Sequence, residues 1–212
     1  QYTVTLTVTN ATESKNITKT NYITITTPVV VTGNLLTNPG AETGTISPWY
    51  TFSSGPALQV STAQHKSGSY AFLRANRTQY YHGPACNIKS LVTGGQLVNG
   101  KRYTFSVWVR HGEAAARDIH LNIKKVDGSG TKYITLENES VPPNTWVKIV
   151  KHYTLAITGT LTGLELYVIT SSGYTFPFFS DDFSISAPEN YDPPVSSQPA
   201  DFIRAGGKTL VT

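Results

Sequence analysis

Alternation with a period of two residues recurs along this chain from end to end, and no long stretch carries the 3.6-residue period of an amphipathic helix. Successive side chains of a strand point to opposite faces, so the pattern specifies half-buried β-strands. The opening is the clearest case: Tyr2, Val4, Leu6 and Val8 alternate with Thr3, Thr5, Thr7 and Thr9. A polar turn follows over residues 10–16. A second alternating run then passes through Tyr22, Ile23, Thr24 and Ile25 and ends at Pro28, because proline has no amide proton for a ladder. Residues 1–28 therefore read as one hairpin, and a two-stranded hairpin is marginal in water without a sheet to join.

Residues 29–187 read as a β-sandwich, with strands expected at 57–61, 69–75, 102–110, 118–125, 132–137, 145–154, 161–170 and 178–186. Turn clusters such as Asp127-Gly128-Ser129-Gly130 separate them. Faces follow from parity. Tyr103, Phe105, Val107 and Val109 belong to the core and Trp108 points away; Ile119, Leu121 and Ile123 face in, and His120, Asn122 and Lys124 face out. Leu164, Leu166 and Val168 likewise alternate with Glu165, Tyr167 and Ile169. The outward faces thus carry rings and polar groups where a solvated face would hold more lysine and glutamate. Residues 188–212 open with the Pro- and Ser-rich stretch PENYDPPVSSQP, which has the composition of a linker, and end in a tail too poor in apolar residues to fold alone.

Composition excludes several functions. Charged residues make up 14% of the chain and the basic ones are scattered, which argues against a nucleic-acid binder. No apolar run reaches the roughly 20 residues a membrane-spanning helix needs. The lone Cys86 permits neither an internal disulfide nor a four-cysteine zinc site. Histidines at 65, 82, 111, 120 and 152 lack the spacing of a metal or catalytic motif, and no GxSxG elbow is present. A glycosidase needs two facing carboxylates, and Glu165 is the one acid whose strand places it on the outward face. The chain is expected not to be an enzyme. Its lack of methionine suggests a piece of something longer.

Two resemblances add to this reading. YTVTLTVTN followed by NYITIT resembles the last two strands of a PKD repeat, a small β-sandwich common in extracellular proteins. Beyond it, NLLTNPGAETGTISPW, HKSGSYAFLRANRTQYYHG, GKRYTFSVWVR, NTWVKIVKHYTL, LELYVIT and FPFFSDDFSI follow in the order seen in carbohydrate-binding modules of families 4, 9 and 22, and RTQYYHG leans toward family 22. The resemblance implies a jelly-roll sandwich, a structural calcium ion, and a groove for xylan or a related β-glycan.

Carried over residue by residue, it places one groove aromatic at Tyr81, flanked by Arg77 and His82, and a second at Tyr133. Trp108 and Tyr167 join the expected glycan contacts because their strands turn them outward. Rings suit this work because sugars present apolar C–H faces to stack on them. Where the family often reads LYVE, this chain has Leu166-Tyr167-Val168-Ile169, and isoleucine makes no hydrogen bond to a sugar hydroxyl. For calcium, the resemblance implies Glu42, Asp181 and Asp182, with carbonyls near Lys66 and Ser67, since a hard cation collects six to eight oxygens. Asp181 shares parity with Phe183 and Ile185, and a core-facing carboxylate calls for a counter-charge.

The expected function is non-catalytic binding of a β-linked polysaccharide by a module of a secreted or cell-surface protein. The alternative is a structural or adhesive building block whose terminal strands pair with neighbouring subunits.

Overall fold

The computed structural model of the chain describes residues 2–23 and 33–186. The chain divides into two compact units between residues 30 and 31.

In the first unit β1 (Tyr2–Thr9) pairs antiparallel with β2 (Ser14–Ile23), setting Leu6 opposite Ile17 and Val8 opposite Lys15. The turn is shorter than the sequence suggested. The Asn10 side-chain oxygen accepts the amide protons of Thr12 (2.9 Å) and Glu13 (2.7 Å), a local bond that closes the loop early and returns the chain to strand at Ser14. The expected end of this hairpin at residues 24–28, and the tail at 188–212, lie outside the described residues.

The second unit is a sandwich of two five-stranded sheets. Its strands are β3 (Tyr50–Thr51), β4 (Gln59–Ser61), β5 (Ala71–Arg74), β6 (Pro84–Asn87), β7 (Arg102–His111), β8 (Arg117–Asp127), β9 (Gly130–Val141), β10 (Val147–Thr154), β11 (Gly163–Thr170) and β12 (Phe178–Ser186). One sheet runs β10-β7-β12-β5-β4 and the other β3-β6-β11-β8-β9, with neighbours antiparallel throughout. All the strands read from alternation are present. Two further strands, β3 and β6, and a one-turn helix α1 (Lys89–Thr93) are additions, since a strand of two to four residues is too short to show a period.

The core lies between the sheets. Phe105, Val107 and Val109 of β7, Ile119, Leu121 and Ile123 of β8, and Leu164, Leu166 and Val168 of β11 are all buried there, as parity requires. Cys86 belongs to the same core, where burial pushes its thiol up to about 11 and keeps it protonated.

The β8–β9 turn carries a buried ion pair. Asp127 takes the Lys125 ammonium at 2.6 Å and also accepts from the Ser129 hydroxyl (2.6 Å) and the Thr158 amide (2.9 Å). These bonds, Lys125 foremost, hold the carboxyl far below the usual carboxylate range. A depressed pKa supplies stability above the unfolded-state value of about 4, which is lost as pH falls below it. Asp127→Asn is therefore expected to lower the melting temperature at pH 7 and to flatten the acid limb of the stability profile. Thermal melts from pH 7 down to pH 3 check both effects.

Candidate functional site

The outer face of the sheet β3-β6-β11-β8-β9 presents side chains in rows that cross the strands. One row reads Tyr133 (β9), Lys124 (β8), Glu165 (β11), Asn87 (β6), each opposite the next. The next outward row reads Thr135, Asn122, Tyr167, Ala85 and Tyr50, the last on β3. A third places His120 opposite Ile169. A cleft of about 240 Å³ opens over the first row, walled by residues 50–54, Lys124, Tyr133 and Glu165.

Residues 51–54 roof the second row. The Phe52 ring lies flat on the Tyr167 ring, with centroids 3.9 Å apart and planes within 3°. The turn that brings it there is tight: Ser53 and Ser54 both take left-handed backbone angles, φ 58° and 59°. The Phe52 amide is anchored on the Gly83 carbonyl at 2.9 Å. Tyr167 is consequently only 3% exposed, and its expected place as a glycan-stacking ring is corrected: Phe52 already occupies its face.

The polar groups of the cleft form a chain. The Tyr50 hydroxyl donates to Glu165 Oε1, and Glu165 Oε2 pairs with Lys124 Nζ at 3.0 Å. Burial, followed by the neighbouring carboxylate, drives the Tyr50 hydroxyl above its ordinary range, so it remains a donor. Tyr133 stands beside this chain, 66% exposed. Sequence reasoning placed Glu165 and Lys124 outward but did not pair them. Tyr50 and Phe52 escaped it because β3 is two residues long.

Tyr81 sits half-buried at the edge of the same face, packed against Phe52, Ala85 and Tyr167. Arg77 and His82 lie behind it, each 6% exposed, so the expectation that they contact glycan is also corrected. Arg77 directs its guanidinium to the carbonyls of Tyr80, His82 (2.9 Å) and Phe176 (2.9 Å) and to the Thr170 hydroxyl (2.8 Å). Burial and the adjacent Arg74 lower Arg77 to about 10, which leaves it charged at neutral pH. Arg74 donates to the same His82 carbonyl at 3.1 Å. The two arginines are positioning residues that hold the loop carrying Tyr81. Trp108 is on β7, in the opposite sheet, under the Lys66 ammonium at 4.2 Å. It shares no cleft with Tyr81 and Tyr133.

The three acids expected at calcium gather around residues 66–70. Asp181, fully buried, accepts from the amides of Lys66 (2.6 Å) and Ser67 (3.2 Å), and Asp182 accepts from the Ser67 hydroxyl (2.7 Å). Glu42 accepts from the amides of Ser69 (3.0 Å) and Tyr70 (3.1 Å). The absence of a side chain at Gly40 leaves room for both aspartates: a Cβ there would lie 2.5 Å from Asp181 Oδ1 and 3.6 Å from Asp182 Oδ1. Among the described residues the acids do not close into one metal-sized cluster. The chemistry of the donors nevertheless suits a hard cation. Asp181 has no basic side chain among the ion pairs of the described residues, and burial raises its carboxyl to about 6.

Residues 33–174 match the family described as carbohydrate binding domain. The chain belongs to that family. Over 161 residues this carbohydrate-binding domain is 31% identical to exoglucanase XynX of Acetivibrio thermocellus; the match takes in 74% of the chain and 14% of that relative, about a seventh of its length. Among solved structures it is similar to the C-terminal family 22 carbohydrate-binding module of Clostridium thermocellum Xyn10B, with a TM-score of 0.58 and 26% identity over 70% of this chain and 90% of that one. It is also similar to a xylan-binding domain of family 22, with a TM-score of 0.59 and 27% identity over 69% and 90% of the two chains. The second xylan-binding domain of Paenibacillus barcinonensis Xyn10C shares the fold, with a TM-score of 0.62 at 21% identity over 70% and 97%. These likenesses favour non-catalytic polysaccharide binding over the structural-building-block alternative. Among the described residues no helix is long and apolar enough to cross a membrane.

Proposed function

We propose that this carbohydrate-binding domain holds a β-linked polysaccharide, xylan or β-glucan, in the cleft beside Tyr133, as a non-catalytic module of a secreted or cell-surface multidomain protein. The observation that carries the reading is the exposed Tyr133 ring beside a Glu165–Lys124 pair in a cleft on the same sheet face as Tyr81. A ring for the apolar side of a sugar and a charged pair for its hydroxyls are the two elements such recognition needs. The relative named as a xylan-binding domain supports the choice of polymer. Tethering such a module to a second domain raises that domain's local concentration at the polymer.

Calcium belongs to the same reading. Asp181 and Asp182, with Glu42 from the neighbouring loop, would hold it, and the ion would supply positive charge tying residues 66–70 to β12.

Calorimetry and affinity electrophoresis against soluble xylan, mixed-linkage β-glucan and cellulose test the function. Binding to at least one is expected. Tyr133→Ala should weaken it roughly tenfold through loss of the stacking face, with the melting temperature unchanged because the ring is exposed. Failure of the parent protein to bind any of the three polymers overturns the proposal.

A further inference from the structure

We infer that Glu165 and Lys124, braced by Tyr50, form the hydroxyl-reading subsite of the cleft, and that they select a neutral sugar bearing neighbouring free hydroxyls over a uronate-bearing chain. The inference rests on the function proposed above and names the residues that give the cleft its specificity.

Three observations lead there. On β11 the outward positions are 165, 167 and 169; Tyr167 is roofed by Phe52, and Ile169 has no hydrogen-bonding group. Glu165 is therefore the polar side chain through which β11 reaches the cleft. It lies four residues from Ile169, about 13 Å along the strand. Next, Glu165 is held at both oxygens, by the Tyr50 hydroxyl and by Lys124 Nζ at 3.0 Å, yet its side chain stays 19% exposed and that of Lys124 30%. A carboxylate oxygen has lone pairs beyond the one used, and an ammonium has two protons left. One sugar hydroxyl can donate to the carboxylate while its neighbour accepts from the ammonium, because the two groups lie side by side. Third, Tyr133 is directly opposite Lys124 on β9. The row Tyr133–Lys124–Glu165 thus places the stacking ring next to the hydroxyl-binding pair, and a glycan crossing the strands meets them in succession.

Charge sets the selectivity. Lys124 is neutralised by its own partner, so a sugar carboxylate gains no net attraction from it and meets the like charge of Glu165. A neutral hydroxyl pair meets no such penalty. The two side chains are 30% and 19% exposed, so water still reaches a partner left alone, and the substitutions should alter binding more than the fold.

The test is calorimetry of the parent protein, Glu165→Gln, Lys124→Met and Tyr133→Ala against xylohexaose, mixed-linkage β-glucan oligosaccharides and polygalacturonate, with melting temperatures recorded for each variant. The parent should prefer a neutral glycan. Glu165→Gln and Lys124→Met should each weaken that binding roughly tenfold with little change in melting temperature. Glu165→Gln should in addition acquire salt-sensitive binding to polygalacturonate, because the ammonium is then unpaired. If both variants bind the neutral glycan as the parent does, the pair is only a surface ion pair and the inference falls while the proposed function stands. A parent that prefers polygalacturonate overturns the selectivity. A parent that binds no glycan overturns the proposed function and this subsite with it.

Discussion

Gly83→Ala is expected to destabilise the sandwich by about 3 kcal/mol or more and to abolish glycan binding. A Cβ at this position would lie 1.6 Å from the Val168 carbonyl oxygen, and the contact is with backbone, so no side chain can turn aside. Accommodating the methyl group means moving the chain entering β6 away from β11. Overpacking of this kind costs typically 1–3 kcal/mol and more where the backbone must shift. In a domain of this size that corresponds to a fall in melting temperature on the order of 10 °C. Binding fails along with stability because Gly83 connects both walls of the site: its carbonyl anchors the Phe52 amide, and it follows the loop that carries Tyr81. Gly112→Ala is the control, since a Cβ there has nothing nearer than 3.9 Å. Circular-dichroism melts of the two variants beside the parent should show a large shift for the first and a change of a degree or two for the second. Equal melting temperatures would contradict the close approach of Gly83 to β11.

The second large effect concerns the proposed calcium ion. At neutral pH, EDTA is expected to lower the melting temperature by about 5–10 °C, and excess calcium to restore it. The estimate follows from mass action: a ligand at a hundred times its dissociation constant stabilises the folded state by about 2.7 kcal/mol. Asp181 should carry most of the response, being fully buried and unpaired with any cation among the described ion pairs. Asp181→Asn keeps the shape and an acceptor for the Lys66 and Ser67 amides but removes the charge. It should abolish the calcium response while leaving a folded protein. Differential scanning calorimetry with EDTA, calcium and magnesium separates the cases, and a melting temperature indifferent to all three excludes a structural cation at these acids.

Much of the architecture was legible in advance, and particular residues show why. Phe105, Val107 and Val109 were assigned to the core by parity alone, because a strand offers two faces and only one of them is apolar. The same logic put Asp181 inside with Phe183 and Tyr133 outside, and both are so placed. Parity failed where a local irregularity resets it. A break in register follows Asp181, with Asp182 at a left-handed φ of 47°, and that kink turns Asp182 toward Ser67 and Gly40.

The site itself was less legible. Trp108, Tyr133 and Tyr167 look alike in sequence, each an outward ring in an alternating strand. The fold puts Trp108 on the other sheet, roofs Tyr167 with Phe52 and leaves Tyr133 open to solvent. Arg77 and His82 read as polar neighbours of Tyr81 and prove to be its buried supports. By itself, then, the sequence determined the strands long enough to show a period, their apolar faces and the family, because alternation and motif order are local and additive along the chain. Which sheet each strand joins, which ring is covered, and that Tyr50, Lys124 and Glu165 meet were settled by tertiary structure. Those facts depend on pairings between residues as much as 115 positions apart, such as Tyr50 with Glu165, which no local period encodes.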